Sequence, residues 1–326
     1  MGEPSGIGPQ VLLRSFKAIP EKLNVIAISD FHKIKHLAKR LNIKIRKITK
    51  ISEACFKSKE LNILHLDYQA SFIQGEYDQR NSKSVINSIK LAAKLCLNEE
   101  VDAMVTGPIN KYILKKSGKF PFKGHTDYLE YLCNKKAGSA LMMMTNPKLK
   151  IIPLTIHEPL KKVSSLITKQ RLKEALSKTA EELKKKFNIK HPKIAVLGLN
   201  PHAGENGDIG KEEIQSIIPV ISELNKKPHF NISGPFPADG YFGSNAFKDY
   251  DVTLAMYHDQ ALIPLKLLGF FESVNTTVGL PIIRTSPGHG SAIELAKKGK
   301  VSEKSFLAAI RLANTLITRK LTSKTK

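Results

Sequence analysis

Hydrophobic and polar positions along this chain follow two different spacings that alternate from end to end. Short apolar runs at residues 24–28, 61–66, 101–105, 141–144, 151–156, 193–199 and 252–256 read as buried strands. Between them, apolar residues recur every three or four positions. Over residues 84–98, Val85, Ile86, Ile89, Ala92, Ala93 and Cys96 share one helical face, with Asn87, Lys90 and Lys94 opposite. A second helix is predicted over 169–187, with Leu172, Leu176, Leu183 and Phe187 inward and Thr168 as its N-cap. A basic helix follows the first strand across 31–41. The chain closes with a helix from Ser302, apolar at Phe306, Ile310, Ala313 and Ile317, with Glu303 and the Arg319-Lys320 pair placed to suit the helix dipole. Strand–helix alternation of this kind predicts an α/β fold with a mostly parallel sheet covered on both faces. A length of 326 residues suits two lobes with a cleft between them.

In open α/β sheets, ligands collect beyond the carboxyl ends of the strands. Val105 is followed by Thr106, Gly107, Pro108, Ile109, Asn110 and Lys111. Ile156 is followed by His157 and Glu158, Leu199 by Asn200, Pro201 and His202, and Met256 by Tyr257, His258 and Asp259 in "YHDQALIPLK". Three strands thus end in histidine. A lone histidine after a strand is commonly a satisfied loop residue, but neighbouring parallel strands place such ends side by side. Three neutral imidazoles gathered there would hold a divalent cation with positions left for substrate. A second group is cationic and polar: Lys266, Asn275 and Arg284, with His125 and Thr126 at a glycine-led helix start where free N–H groups favour an anion. The bland reading is a scatter of surface ion-pair partners; the chemical one is a phosphate or carboxylate site, with arginine as a bidentate fork.

Composition narrows the classes. Hydrophobic residues make up 41% and charged residues 25%, as in ordinary globular chains. The three cysteines, Cys55, Cys96 and Cys133, are scattered without a CxxC pair, which argues against a disulfide frame or thiolate metal site. No apolar run nears the ~20 residues of a bilayer span and "MGEPSGIGPQ" lacks signal-peptide regions, so a cytoplasmic location and no membrane partner are expected. The net charge of +23 is extreme, but its lysines are spread over helix faces with little aromatic interleaving. The expectation is therefore solvated lysine and a pull on anionic metabolites, not nucleic acid. Neither a P-loop, a GxGxxG after a strand, nor a GxSxG elbow occurs.

The motifs "GEPSGIGP", "TGPINK", "GHTDYLE", "NPHAGENGDIGKEE", "GPFPADGYF", "YHDQALIPLK" and "NTTVGLPIIRTSPGHGSA" together resemble the 4-hydroxythreonine-4-phosphate dehydrogenase family of pyridoxal phosphate biosynthesis, from residue 2 to about residue 313. The resemblance implies an isocitrate/isopropylmalate-dehydrogenase-like fold of two α/β/α lobes, residues 1–120 with 276–326 on the cofactor side and 121–275 carrying metal, substrate and dimer contacts. It implies a homodimer in which two subunits share the metal. It implies metal ligation by His157, His202 and His258, and substrate contacts from His125, Thr126, Lys266, Asn275 and Arg284. Lys266, Asp239 or a metal-bound hydroxide would serve as base, and the loop Gly288, His289, Gly290, Ser291 and Ala292 would hold NAD or NADP. The implied reaction is metal-dependent oxidation of 4-phosphooxy-L-threonine to a 3-oxo acid, which decarboxylates to 3-amino-2-oxopropyl phosphate. Zinc, magnesium, manganese and cobalt all remain open as the metal. A sister activity on 4-phosphothreonate or 4-phosphoerythronate, and more remotely a phosphotransacetylase-like acyl transfer, are the alternatives. Two departures stand out. The family has a strand before "GEPSGIGP" where Met1 stands here, so either this chain begins late or the sheet lacks its first strand, which would expose an edge. After "HGSA" the family continues with an Asp and an Ala-Gly pair, whereas this chain has Ile293-Glu294-Leu295-Ala296-Lys297, which leaves the choice between NAD and NADP open.

Overall fold

A computed structural model of the chain describes residues 1–20, 23–299 and 301–324. Its strands among the described residues are β1 (Ile26–Ser29), β2 (Ile45–Ile48), β3 (Leu61–His65), β4 (Ala103–Val105), β5 (Leu141–Thr145), β6 (Lys150–Pro153), β7 (Lys193–Leu197), β8 (Asn231–Phe236), β9 (Val252–Ala255), β10 (Val274–Val278) and β11 (Ile283–Pro287). The chain divides into two compact units, Met1–Ser139 with Leu280–Asn314, and Ala140–Gly279 with Thr315–Lys326.

In the first unit β1, β3 and β2 lie side by side in that order, all parallel, and β4 pairs in parallel with β11. The helix Phe31–Arg40 starts where the sequence expects it because Asp30 caps it, accepting from the N–H groups of His32 at 2.9 Å and Lys33 at 3.1 Å. Its inner face joins a core that includes Val11, Leu13, Ile34, Leu61, Ile63 and Phe306. Burying each such side chain contributes about 1.5–3 kcal/mol.

In the second unit the strand order is β10-β5-β6-β9-β7-β8. The pairings β6–β9, β9–β7 and β7–β8 are parallel, as the alternation predicts. The pairings β10–β5 and β5–β6 are antiparallel, so the sheet is mixed. The cause is local: only residues 146–149 separate β5 from β6, too few for a parallel crossover. Asn146 closes that turn, its Oδ1 accepting from the N–H groups of Lys148 at 2.9 Å and Leu149 at 2.8 Å. The helix Lys169–Phe187 packs against the helix Ile218–Asn225 and is capped by Thr168, whose Oγ1 accepts from the N–H of Arg171.

The unit boundary falls after Ser139, whereas the sequence places a lobe boundary after residue 120. The helix His125–Leu132 packs against the helix Ser82–Leu97 of the first unit, and Phe120 and Phe122 stand ring to ring with its Tyr128 at 5.3 and 4.9 Å. None of the three cysteines is in a disulfide, and no helix among the described residues is long and apolar enough to cross a membrane.

Candidate functional site

Adjacency in the sheet decides which strand ends can meet. β6, β9 and β7 are consecutive and parallel, with Ile151 opposite Thr253 and Val196 opposite Leu254. The β6–β9 ladder runs on past the strands, since Thr155 donates both its N–H, at 3.2 Å, and its Oγ1, at 2.7 Å, to the Met256 carbonyl. Two residues beyond each of these partners stand His157 and His258. Their ring centroids are 5.7 Å apart, tilted by 39°. Two imidazoles sharing a tetrahedral zinc stand with centroids roughly 5 Å apart, given ~2.0–2.1 Å Zn–N bonds, so the pair fits a shared cation. His258 Nδ1 lies 2.6 Å from Asp259 Oδ1. A carboxylate only accepts, so Nδ1 carries the proton and the lone pair on Nε2 is left for a ligand. Gln260 braces the site from behind: its Oε1 accepts from the Met256 N–H at 2.7 Å, and its Nε2 donates to the Gly198 carbonyl at 2.8 Å, tying the end of β9 to the loop after β7.

His202 takes a different course. It lies five residues beyond β7 in an exposed left-handed turn, and among the described residues no three His, Cys, Asp or Glu side chains of one chain gather in a metal-binding group. Asp239 is exposed in the first turn of the helix Ala238–Gly243, which packs beside the His202 turn. Lys266 sits on the same helix as His258, eight residues on and so ~12 Å along the axis. Its Nζ lies 6.0 Å from the Phe270 ring centroid. Asn275, on β10, is half-buried with its Oδ1 sealed and without a hydrogen-bond partner.

The first unit brings together a cationic group. Arg284 on β11 is 2% exposed and donates through Nε at 3.1 Å and Nη2 at 2.7 Å to Thr106 Oγ1, the residue that follows the paired strand β4. Burial pushes its pKa down to about 10, so it stays a cation at neutral pH. His125 opens the helix His125–Leu132 with Thr126 beside it, and its Nε2 is sealed and without a hydrogen-bond partner. Burial first, then the charges of Arg284, the chain's amino terminus and Lys111, hold its pKa well below the ordinary imidazole value, leaving it neutral. Lys111 completes the group: its Cε and Nζ lie 3.2 and 3.5 Å from where a Cβ on Gly124 would stand. Two cations, a neutral imidazole and a helix start fit an anion. Thr106 and Lys111 carry no role in the sequence reading beyond being polar residues after a strand. Their part depends on β4 and β11 being neighbours, which local spacing does not reveal.

The loop Gly288–Ala292 packs on the N-terminal loop. The N–H of Ile7 donates to the Ser291 carbonyl at 3.0 Å, and Ser291 Oγ lies 3.3 Å from Tyr77 Oη. His289 Nε2 and the buried Ser5 Oγ both lack partners. Unsatisfied donors and acceptors lining two glycine-bearing loops fit the polar edge of a dinucleotide. Glu3, in the same loop, is buried, and its Oε1 accepts from the Ser5 N–H at 3.1 Å. Burial, reinforced by nearby Asp78, pushes its carboxyl up to about 7 against an ordinary 4.5. The folded state therefore holds this proton more tightly than the unfolded one. That stability is fully present below about pH 4.5 and is lost as pH rises through about 7, by up to ~3 kcal/mol. Glu3→Gln is expected to flatten this decline, so thermal melts from acid to mildly alkaline pH should diverge from the parent on the alkaline side. Parallel curves contradict the assignment.

A family model described as "Pyridoxal phosphate biosynthetic protein PdxA" matches residues 21–313. The chain is 37% identical over 322 residues to a 4-hydroxythreonine-4-phosphate dehydrogenase of Vibrio parahaemolyticus, covering 98% of this chain and 96% of that protein. It is 39% identical over 322 residues to the enzyme of the same name from Pseudoalteromonas translucida, with the same two coverages. The crystal structure of the Klebsiella pneumoniae 4-hydroxythreonine-4-phosphate dehydrogenase superposes with a TM-score of 0.86 at 32% identity, over 97% of this chain and 98% of that one.

Proposed function

We propose how this oxidoreductase works from one premise: the chain belongs to the PdxA family of pyridoxal phosphate biosynthetic proteins. Its substrate is 4-phosphooxy-L-threonine, its hydride acceptor NAD or NADP, and its product a 3-oxo acid that loses carbon dioxide to give 3-amino-2-oxopropyl phosphate. The observation that carries the metal-dependent reading is the β6–β9–β7 adjacency, which sets His157 and His258 ring to ring.

His157, His202 and His258 hold a divalent cation, the set being completed across a homodimer, since one chain alone does not gather all three. The apolar face that Ile263, Leu267, Phe270 and Phe271 expose on and just after the His258 helix supports such a dimer. A cation bound there would supply Lewis-acid chemistry, polarising the substrate's hydroxyl and countering the negative charge that develops beside it. Arg284, neutral His125, Thr126 and Lys111 bind and orient the anionic groups, and Asn275 Oδ1 and Lys266 add polar contacts. Asp239 takes the hydroxyl proton on a carboxylate oxygen, its helix packing beside the His202 turn. Gly288, His289, Gly290, Ser291 and Ala292 would hold the nicotinamide cofactor, which would supply hydride-accepting chemistry.

The test is a matrix of substrates and cofactors on metal-reconstituted protein, followed by absorbance of reduced nicotinamide. Turnover of 4-phosphooxy-L-threonine, lost on chelation and restored by metal, is expected. Turnover of 4-phosphoerythronate or 4-phosphothreonate alone overturns the substrate assignment.

A further inference from the structure

The loop that carries His202 is held in a conformation that ordinary L-residues avoid. His202, Ala203, Gly204, Glu205 and Asn206 are consecutive residues at positive φ, of 51°, 52°, 83°, 42° and 54°. Left-handed geometry costs roughly 1–2 kcal/mol for each residue other than glycine. It persists where surrounding contacts over-determine it. Beside the turn's own backbone hydrogen bonds, from the Ala203 N–H to the Asn200 carbonyl and from the Ile209 N–H to the Gly204 carbonyl, one buried carboxylate holds the residues that lead into it. Glu213, 1% exposed, accepts through Oε1 from the N–H groups of Leu199 at 2.7 Å and Asn200 at 2.8 Å, and through Oε2 from Asn200 Nδ2 at 2.8 Å. It packs so closely under the turn that a Cβ on Gly204 would stand 2.7 Å from its Oε2.

The neighbouring carboxylate extends the clamp. Glu212 Oε2 accepts from the same Asn200 Nδ2 at 2.8 Å, while its Oε1 accepts from Ser164 Oγ. Ser164 lies on the helix Leu160–Leu166, which begins three residues after His157. The two acids therefore connect the segment behind His157 to the turn of His202, and neither has a role in the chemistry derived above.

We propose that Glu213 and Glu212 are positioning residues for the metal: Glu213 holds the Leu199–Asn200 segment that leads into the left-handed turn of His202 and packs beneath it, and Glu212 braces that turn against the helix Leu160–Leu166 of the same chain. The proposal rests on the reading of His157, His202 and His258 as a cation site. Orientation of metal ligands by outer-shell hydrogen bonds typically contributes 10–100-fold in affinity.

Cobalt(II) titration of the full-length protein tests it, read by binding affinity and by the visible absorption of the bound ion, beside thermal unfolding of the metal-free protein. Glu213→Gln keeps the side chain's shape but turns an amide N–H₂ toward the Asn200 donor. It is expected to weaken cobalt binding about 10–100-fold and to alter the spectrum. Glu212→Gln, at a half-buried position, is expected to weaken binding several-fold with unchanged unfolding, and it decides the matter if Glu213→Gln does not fold. A merely structural role would lower the metal-free melting temperature and leave cobalt affinity at the parent value, which overturns the proposal. His202→Ala separates the two claims. If it binds cobalt like the parent, the cation reading itself fails. If it loses cobalt while both glutamine variants keep parental affinity and spectrum, only the clamp fails.

Discussion

His258→Ala is expected to abolish metal-dependent turnover while the chain stays folded. The imidazole is half-buried at the start of its helix, beside the exposed Asp259 and the His157 ring, so its removal opens no large cavity and breaks no buried ion pair. The effect on rate is far larger. A Lewis acid supplies several kcal/mol of charge stabilisation at the reacting oxygen, and each ~1.4 kcal/mol is tenfold, so losing it lowers kcat/KM by about three orders of magnitude or more. Steady-state kinetics with and without added metal, beside circular dichroism, measures both halves. Undiminished activity in this variant after chelation contradicts the ligand assignment.

Arg284→Ala carries the second large effect, and its signature differs because the residue is buried. Deleting a nearly sealed guanidinium leaves the Thr106 hydroxyl without the two donors it now has. Truncating one partner of a buried charged hydrogen bond typically costs 2–5 kcal/mol, so kcat/KM for the phosphorylated substrate is expected to fall roughly 10²–10³-fold, chiefly through KM, and the melting temperature to drop. Arg284→Lys does not rescue, because a single ammonium cannot reproduce the planar fork. The neighbouring imidazole reports on the same contact. Arg284 helps hold His125 below its ordinary pKa, so its removal lets that pKa rise, and the His125 NMR titration should move to higher pH. An unmoved titration with parental KM places Arg284 outside the anion site.

The legible part of this fold was the part written in local period. The helix Lys169–Phe187 and its Thr168 cap could be read directly because four apolar residues and one hydroxyl sit at fixed offsets. So could β9, whose four residues are all buried. Local period does not reveal β2: its sequence Ile45-Arg46-Lys47-Ile48 places two exposed cations mid-strand, which masks the apolar ends. Nor does it reveal β10, because Asn275, Thr276 and Thr277 look like a polar loop, although the threonines are buried in the sheet. The site divides the same way. His157 and His258 could be foreseen to meet because the register of parallel neighbours carries both strand ends to one place. The left-handed turn of His202 could not, since Glu213, which packs beneath it, lies eleven residues further on and accepts from the backbone N–H groups of Leu199 and Asn200, which no side-chain pattern records.

X-ray absorption at the zinc edge of the zinc-loaded protein tests the central claim most directly. Three imidazole nitrogens at about 2.0–2.1 Å are expected, reduced in number in the His157→Ala, His202→Ala and His258→Ala variants. A first shell of oxygens alone, unchanged by those substitutions, contradicts the account.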